Sequence, residues 1–102
     1  MAGPAYSLYI LQCADGSLYT GIATDVAKRL HEHKTGPRGA KYLRGRGPLQ
    51  LVFSCLAGNR AQASQLEYRV KQLSRPQKLD LVEGRSDLAE LLPDYVLDED
   101  CA

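Results

Sequence analysis

The feature that most narrows the fold lies near the N-terminus, where two short runs of aliphatic, aromatic and β-branched residues, Ser7 to Cys13 and Leu18 to Ile22, flank Ala14-Asp15-Gly16-Ser17. A Gly-containing break of this length joins antiparallel neighbours, so the segment is predicted to be a β-hairpin. Its loop decides which residues share a face. A two-residue turn at Asp15-Gly16 would set Gln12 opposite Tyr19 and Tyr9 opposite Ile22, and the alternation of side chains along a strand would then put the two tyrosines on opposite faces. A three-residue loop, Ala14-Asp15-Gly16, with Gly16 left-handed at a G1 bulge, sets Leu11 opposite Tyr19 and Tyr9 opposite Gly21, so that both rings share one face. The three-residue loop is predicted. It gives Gly21 a reason to be glycine, because a side chain opposite Tyr9 would crowd the ring.

Beyond the hairpin, Thr24 is a candidate cap, Asp25 suits the positive end of a helix, and Val26 with Leu30 makes an apolar stripe that Gly36-Pro37 interrupts. A helix from about Asp25 to Thr35 is expected. Pro37 to Pro48 is glycine-rich and carries Arg38, Lys41, Arg44 and Arg46 without an acid, which reads as a basic loop. Leu49 to Leu56 is a third strand, and Ala63, Leu66, Val70 and Leu73 recur at helical spacing over about Arg60 to Leu73, giving a helix that can cover the sheet. Pro76 suits the first turn of a third helix, and Ser86-Asp87 can cap a short one running through Leu92. The expected fold class is α+β, a small three-stranded, mostly antiparallel sheet flanked by helices. Residues 1–84 would form the domain, and 85–102 a short helix and an acidic tail.

A chain of 102 residues with 44% hydrophobic and 25% charged residues has material for one such domain. No apolar run approaches the roughly 18 residues that span a bilayer, and the N-terminus lacks the pattern of a signal peptide, so no membrane partner and a cytoplasmic location are expected. Cys13, Cys55 and Cys101 lack metal-finger spacing; no disulfide framework or zinc site is expected, and Cys13 and Cys55 read as small buried hydrophobes. The net charge of +1 hides a division: residues 1–78 hold 12 Lys/Arg against 4 Asp/Glu, and residues 79–102 hold 1 against 8. A basic body suits a polyanion, since each cation placed at a phosphate releases a condensed counterion; the same split also fits a solvated surface whose charges happen to segregate.

Tyr9 stands in the first strand, Tyr19 in the second, Arg29 and His33 on the first helix and Glu67 on the second. With Ser7-Leu8-Tyr9 at one signature, Tyr19-Thr20-Gly21 at another and Arg29 at the expected interval, the chain resembles the GIY-YIG nuclease family over most of residues 6–80. The runs Cys13 to Gly21 and Glu67 to Arg75 resemble the small stand-alone bacterial members, which are themselves similar to the N-terminal nuclease domain of the excinuclease C subunit. The resemblance implies a metal-dependent endonuclease acting on DNA, with Tyr9 as the base and Tyr19 supporting it. Ser7-Leu8 replaces Gly-Ile, Thr20 replaces a common Ile, and no Asn follows Glu67; the only asparagine is Asn59.

The residue types suit phosphodiester hydrolysis, which needs an activated water, stabilisation of charge on phosphorus and help for the leaving oxygen. Glu67 is the only acid between Glu32 and Asp80, and one carboxylate completed by water and phosphate oxygens is a usual way to hold Mg²⁺, or Mn²⁺ in its place. Its alternative role is an i, i+4 ion pair with Lys71. Arg29 can grip a phosphate bidentately, or sit on the surface near Glu32; His33, one turn on, can orient or protonate a phosphate. Tyrosine is an awkward base, since its reference pKa of about 10 requires a nearby cation. Arg38, Lys41, Arg44, Arg46, Lys71 and Arg75 are candidates to track a phosphate backbone, and Tyr42 to stack on an unpaired base. DNA that is branched, nicked or single-stranded is the expected partner, in repair or processing. The alternative is a catalytically weak DNA-binding module or adaptor on the same scaffold.

Overall fold

The computed structural model describes residues 4–35 and 48–93. The elements run β1 (Tyr6–Gln12), β2 (Leu18–Ala23), α1 (Val26–Thr35), β3 (Gln50–Gly58), α2 (Arg60–Lys71), α3 (Arg75–Val82) and α4 (Leu88–Leu91). The three strands form one antiparallel sheet in the order β2-β1-β3, flanked by helices, which is the expected α+β class.

The hairpin adopts the three-residue loop. Leu11 faces Tyr19 and Tyr9 faces Gly21. The Cys13 N–H donates to the Ser17 carbonyl and the Gly16 N–H to the Cys13 carbonyl, both at 2.9 Å. Gly16 sits at φ +85°, which a residue without Cβ adopts at little cost. Asp15 braces the turn by accepting from the Ser17 N–H at 3.0 Å and from the Ser17 hydroxyl at 2.6 Å.

β1, the central strand, is covered on both sides, and its alternation separates two clusters. Leu8 and Ile10 join the main core with Leu66 and Val70 of α2, Leu81 of α3, and Leu88 and Leu92 at the C-terminal helix. Tyr9, Leu11 and Cys13 face the other way, with Leu49, and pack against Val26 and Leu30 of α1. β3 follows β1 with two register shifts; at one of them Ile10 faces Phe53 while Leu11 faces Leu51. Val52 is the extra residue there and packs on the main core beside Phe53 and Cys55, so a bulge rather than simple alternation distributes the third strand.

Helix starts follow capping chemistry, with one correction. Asp25, not Thr24, caps α1, its Oδ1 accepting from the Lys28 N–H at 3.0 Å. Asn59 and Gln62 form a reciprocal capping box on α2, and Ser74 with Gln77 forms another on α3, whose first turn holds Pro76. Asp87 caps α4, accepting from the Glu90 N–H at 2.8 Å. Cys13 is a buried thiol as expected, whereas Cys55 is only half-buried and is disulfide-bonded, against the expectation of no disulfide; its partner falls outside the described residues. No described helix is long and apolar enough to cross a membrane.

Candidate active site

The α1 face of the hairpin gathers four of the five candidate catalytic residues. Tyr9 is almost fully buried, and its ring lies across Gly21: a Cβ there would stand 2.6 Å from the Tyr9 hydroxyl and 3.2 Å from Cε1 of Tyr19. Glycine at position 21 is therefore what allows the phenol to lie flat on the strand. The Tyr9 hydroxyl is 2.8 Å from Nε2 of His33, a buried contact between β1 and α1. Tyr19 completes an aromatic set, with ring centroids 5.5 Å from His33 in an edge-on arrangement and 6.4 Å from Tyr9. Arg29, one helical turn before His33, bonds Glu32 through Nη1 at 3.1 Å.

The environment of the phenol opposes ionisation. Burial first, then the neighbouring Tyr19, pushes the Tyr9 pKa up to about 12; Arg29 beside the hydroxyl pulls the other way, and the Glu67 carboxylate adds to the rise. Glu67 itself comes from α2, the helix that covers the opposite face. His33 is held below its ordinary value, chiefly by burial and then by the Arg29 charge, so it is neutral near pH 7 and can accept a proton at Nε2. Burial works against the charge on Arg29, but its bonds to Glu32 and Tyr9 outweigh that, and the guanidinium is held more firmly protonated than usual.

Glu67 is partly exposed and meets Nζ of Lys71 at 3.4 Å, the i, i+4 pair read from the sequence. Among the described residues no group of three or more His, Cys, Asp or Glu side chains converges. A cation at Glu67 would have one carboxylate, with water and phosphate oxygens filling the shell, and this donor set fits Mg²⁺ or Mn²⁺ and not zinc. Lys71, whose side chain is 53% exposed, can swing aside. Asn59 cannot supply the polar contact missing after Glu67, because its side chain is spent on the α2 cap.

The cationic candidates divide. Arg38, Lys41, Tyr42, Arg44 and Arg46 lie outside the described residues. Arg75 is tied to the hairpin, donating from Nη2 to the Gly16 carbonyl at 2.9 Å. Lys71 lines a cleft of about 280 Å³ with Leu18, Tyr19, Thr20 and Lys78. Lys78 was not singled out from the sequence; its signal is its spacing of three from Arg75 and seven from Lys71. A second concavity, of about 260 Å³, opens beside Arg29 and Lys28 on the α1 side.

Comparison with known proteins bears on the family and the fold. The chain is 60% identical to a UPF0213 protein of Pectobacterium carotovorum over 82 residues, covering 80% of this chain and 82% of that one. It is 58% identical to one of Yersinia pseudotuberculosis, covering 80% and 85%. Among solved structures it is similar to the solution NMR structure of a UPF0213 protein from Bacillus halodurans, with 41% identity, 92% and 99% coverage and a TM-score of 0.51. It is also similar to that of a protein from E. faecalis, with 33% identity, 81% and 88% coverage and a TM-score of 0.56. Residues 5–80 match the model of the GIY-YIG catalytic domain, and the chain belongs to the GIY-YIG family.

Proposed function

We propose that this chain is a metal-dependent endonuclease that hydrolyses DNA phosphodiester bonds, directed by DNA structure rather than base sequence, in cytoplasmic DNA repair or processing. The observation that supports the proposal is the convergence of Tyr9, Tyr19 and His33 on one face, with Arg29 one helical turn before His33; Glu67, on α2, is the candidate metal ligand. Membership of a nuclease superfamily supports it.

Glu67 would hold a hydrated Mg²⁺ or Mn²⁺, which when bound would supply positive charge beside the phenol and the scissile phosphate. With its pKa pushed up to about 12 by burial, the phenol holds its proton near neutral pH, so Tyr9 needs a proton acceptor before it can serve as a base. Neutral His33, 2.8 Å away, is that acceptor: it takes the phenol proton as Tyr9 takes one from the attacking water. Arg29, oriented by Glu32, faces the charge that builds on the phosphate oxygens. Tyr19 packs against both Tyr9 and His33 and keeps the pair aligned.

The test is a panel of nicked, flapped, branched, single-stranded and duplex DNAs with Mg²⁺, Mn²⁺ and chelator. Cutting of at least one substrate with metal, and of none with chelator, is expected. A rival reading, a DNA-binding module with little catalysis, is favoured by the Lys71 contact to Glu67 and the missing asparagine. It wins if nothing is cut while DNA is bound at low salt.

A further inference from the structure

We propose that the cleft at the open edge of β2 is a second phosphate subsite, which takes the DNA phosphate adjacent to the scissile one on the same strand, with Lys78 as its main ligand. The proposal rests on the nuclease reading above and adds a residue and a strand path to it.

The cleft straddles an edge of the sheet. Among the described residues β2 has β1 on one side only, and the cleft is lined by Leu18, Tyr19 and Thr20 of that strand together with Lys71 of α2 and Lys78 of α3. Tyr19 belongs to the aromatic set around the Tyr9 hydroxyl, and Lys71 contacts Glu67, so the cleft shares two walls with the proposed reaction centre. Among the described residues lysine supplies its only charged lining, and a volume of about 280 Å³ admits a phosphate group with its water. Lys78 is half-buried and lines the cleft, as a side chain whose stem packs on the protein while its ammonium stays solvated can do.

The backbone adds a donor of the right kind. The Cys13–Ser17 bond closes the hairpin, and alternation from that pair makes Leu11–Tyr19 and Tyr9–Gly21 the hydrogen-bonded pairs. The N–H groups of Leu18 and Thr20 then point away from β1, toward the cleft side of the strand. Arg75 fastens the adjoining turn at Gly16, so the rim is held in place by a third cation. Two ammonium groups and two outward amides are complementary to a phosphate and carry no base-reading pattern.

Fluorescence anisotropy with a labelled nicked duplex tests this in a Glu67→Gln background, chosen so that binding is read without cutting. Lys78→Gln should lower affinity about three- to tenfold near 0.1 M salt and make the slope of log affinity against log salt shallower by roughly 0.7–0.9, the signature of one lost phosphate contact. Lys78→Met, which keeps the stem, should behave like Gln, and Lys78→Arg should restore binding. Arg85→Gln, which removes an exposed charge already bonded to Asp80, should leave the slope unchanged. With Glu67 restored, Lys78→Gln should raise KM and keep kcat within about twofold, since the contact is made to ground state and transition state alike. A salt slope for Lys78→Gln equal to that of Arg85→Gln overturns the subsite. If that occurs while the wild type cuts DNA with metal, the nuclease reading stands alone; if the slope shifts but no DNA is cut, the subsite stands and catalysis falls. No binding of any DNA removes both.

Discussion

The two faces of the sheet are built from alternate residues of a single strand, yet they are different materials. Leu8 and Ile10 look into a core of aliphatic side chains from α2, α3 and α4, whereas Tyr9 and Leu11, one residue along, look into a smaller cluster that holds a hydrogen-bonded phenol and imidazole under α1. The first face holds the fold together and the second holds polar groups whose protonation matters. A period-two strand lets one element do both without placing titratable groups among the aliphatic ones. Glu67 rides on α2, the helix of the apolar face, and its carboxylate adds only the smallest of the influences that raise the Tyr9 pKa.

The sharpest challenge to this division is Glu67→Gln, expected to lower metal-dependent cleavage at least a thousandfold, about 4 kcal/mol of transition-state stabilisation, with thermal stability nearly unchanged. Comparable loss of stability would show that Glu67 is structural. Ile10→Ala should do the reverse, costing about 2–5 kcal/mol in a denaturant titration while the surviving folded protein keeps its turnover. Between them lies Gly21→Ala, which drives a methyl to 2.6 Å from the Tyr9 hydroxyl; it should cost about 1–3 kcal/mol and also reduce cleavage, because the ring must leave its seat. Wild-type stability and activity in Gly21→Ala would contradict the packing described.

pH probes the same boundary more gently. The folded state disfavours protonated His33, so its contribution to stability is complete above the ordinary value of 6.5 and is lost as pH falls through the depressed folded value. Activity should fall by about tenfold per pH unit on that acid side, and His33→Gln should abolish the limb along with most of the rate. Tyr9 is of the opposite sign, a proton held more tightly when folded, so its contribution is complete below pH 10 and lost as pH rises toward about 12. The smallest effect belongs to Lys71→Gln, since a surface ion pair contributes about 0–1 kcal/mol, and a melting shift beyond that range would mean Lys71 has a structural role.

Much of this was legible in the chain itself. The hairpin register followed from counting between Tyr9 and Tyr19, and the helices from apolar spacing and capping residues, because those signals act over a few residues. Asp25 replaced Thr24 as a cap because a carboxylate one position later serves the same first turn. The bulge at Val52 was not legible, since it depends on which helix covers each side of β3. Nor was the bond from Arg75 to Gly16, 59 residues apart, or the place of Lys78 at the β2 edge; both depend on how α3 is set against the sheet. Arg29 and His33 were legible as neighbours, but the direct contact of His33 with Tyr9 required the packing of α1 on β1.

The buried Cys13 thiol has a practical consequence. It sits at the end of β1 in the same small cluster as Tyr9, 4% exposed, beneath the side that α1 covers. A thiol-modifying reagent can reach that sulfur only when the cover lifts, so the labelling rate at Cys13, read by mass spectrometry, becomes a clock for how often the chamber breathes. A nucleic acid clamped against α1 should slow that clock, whether or not a bond is ever cut.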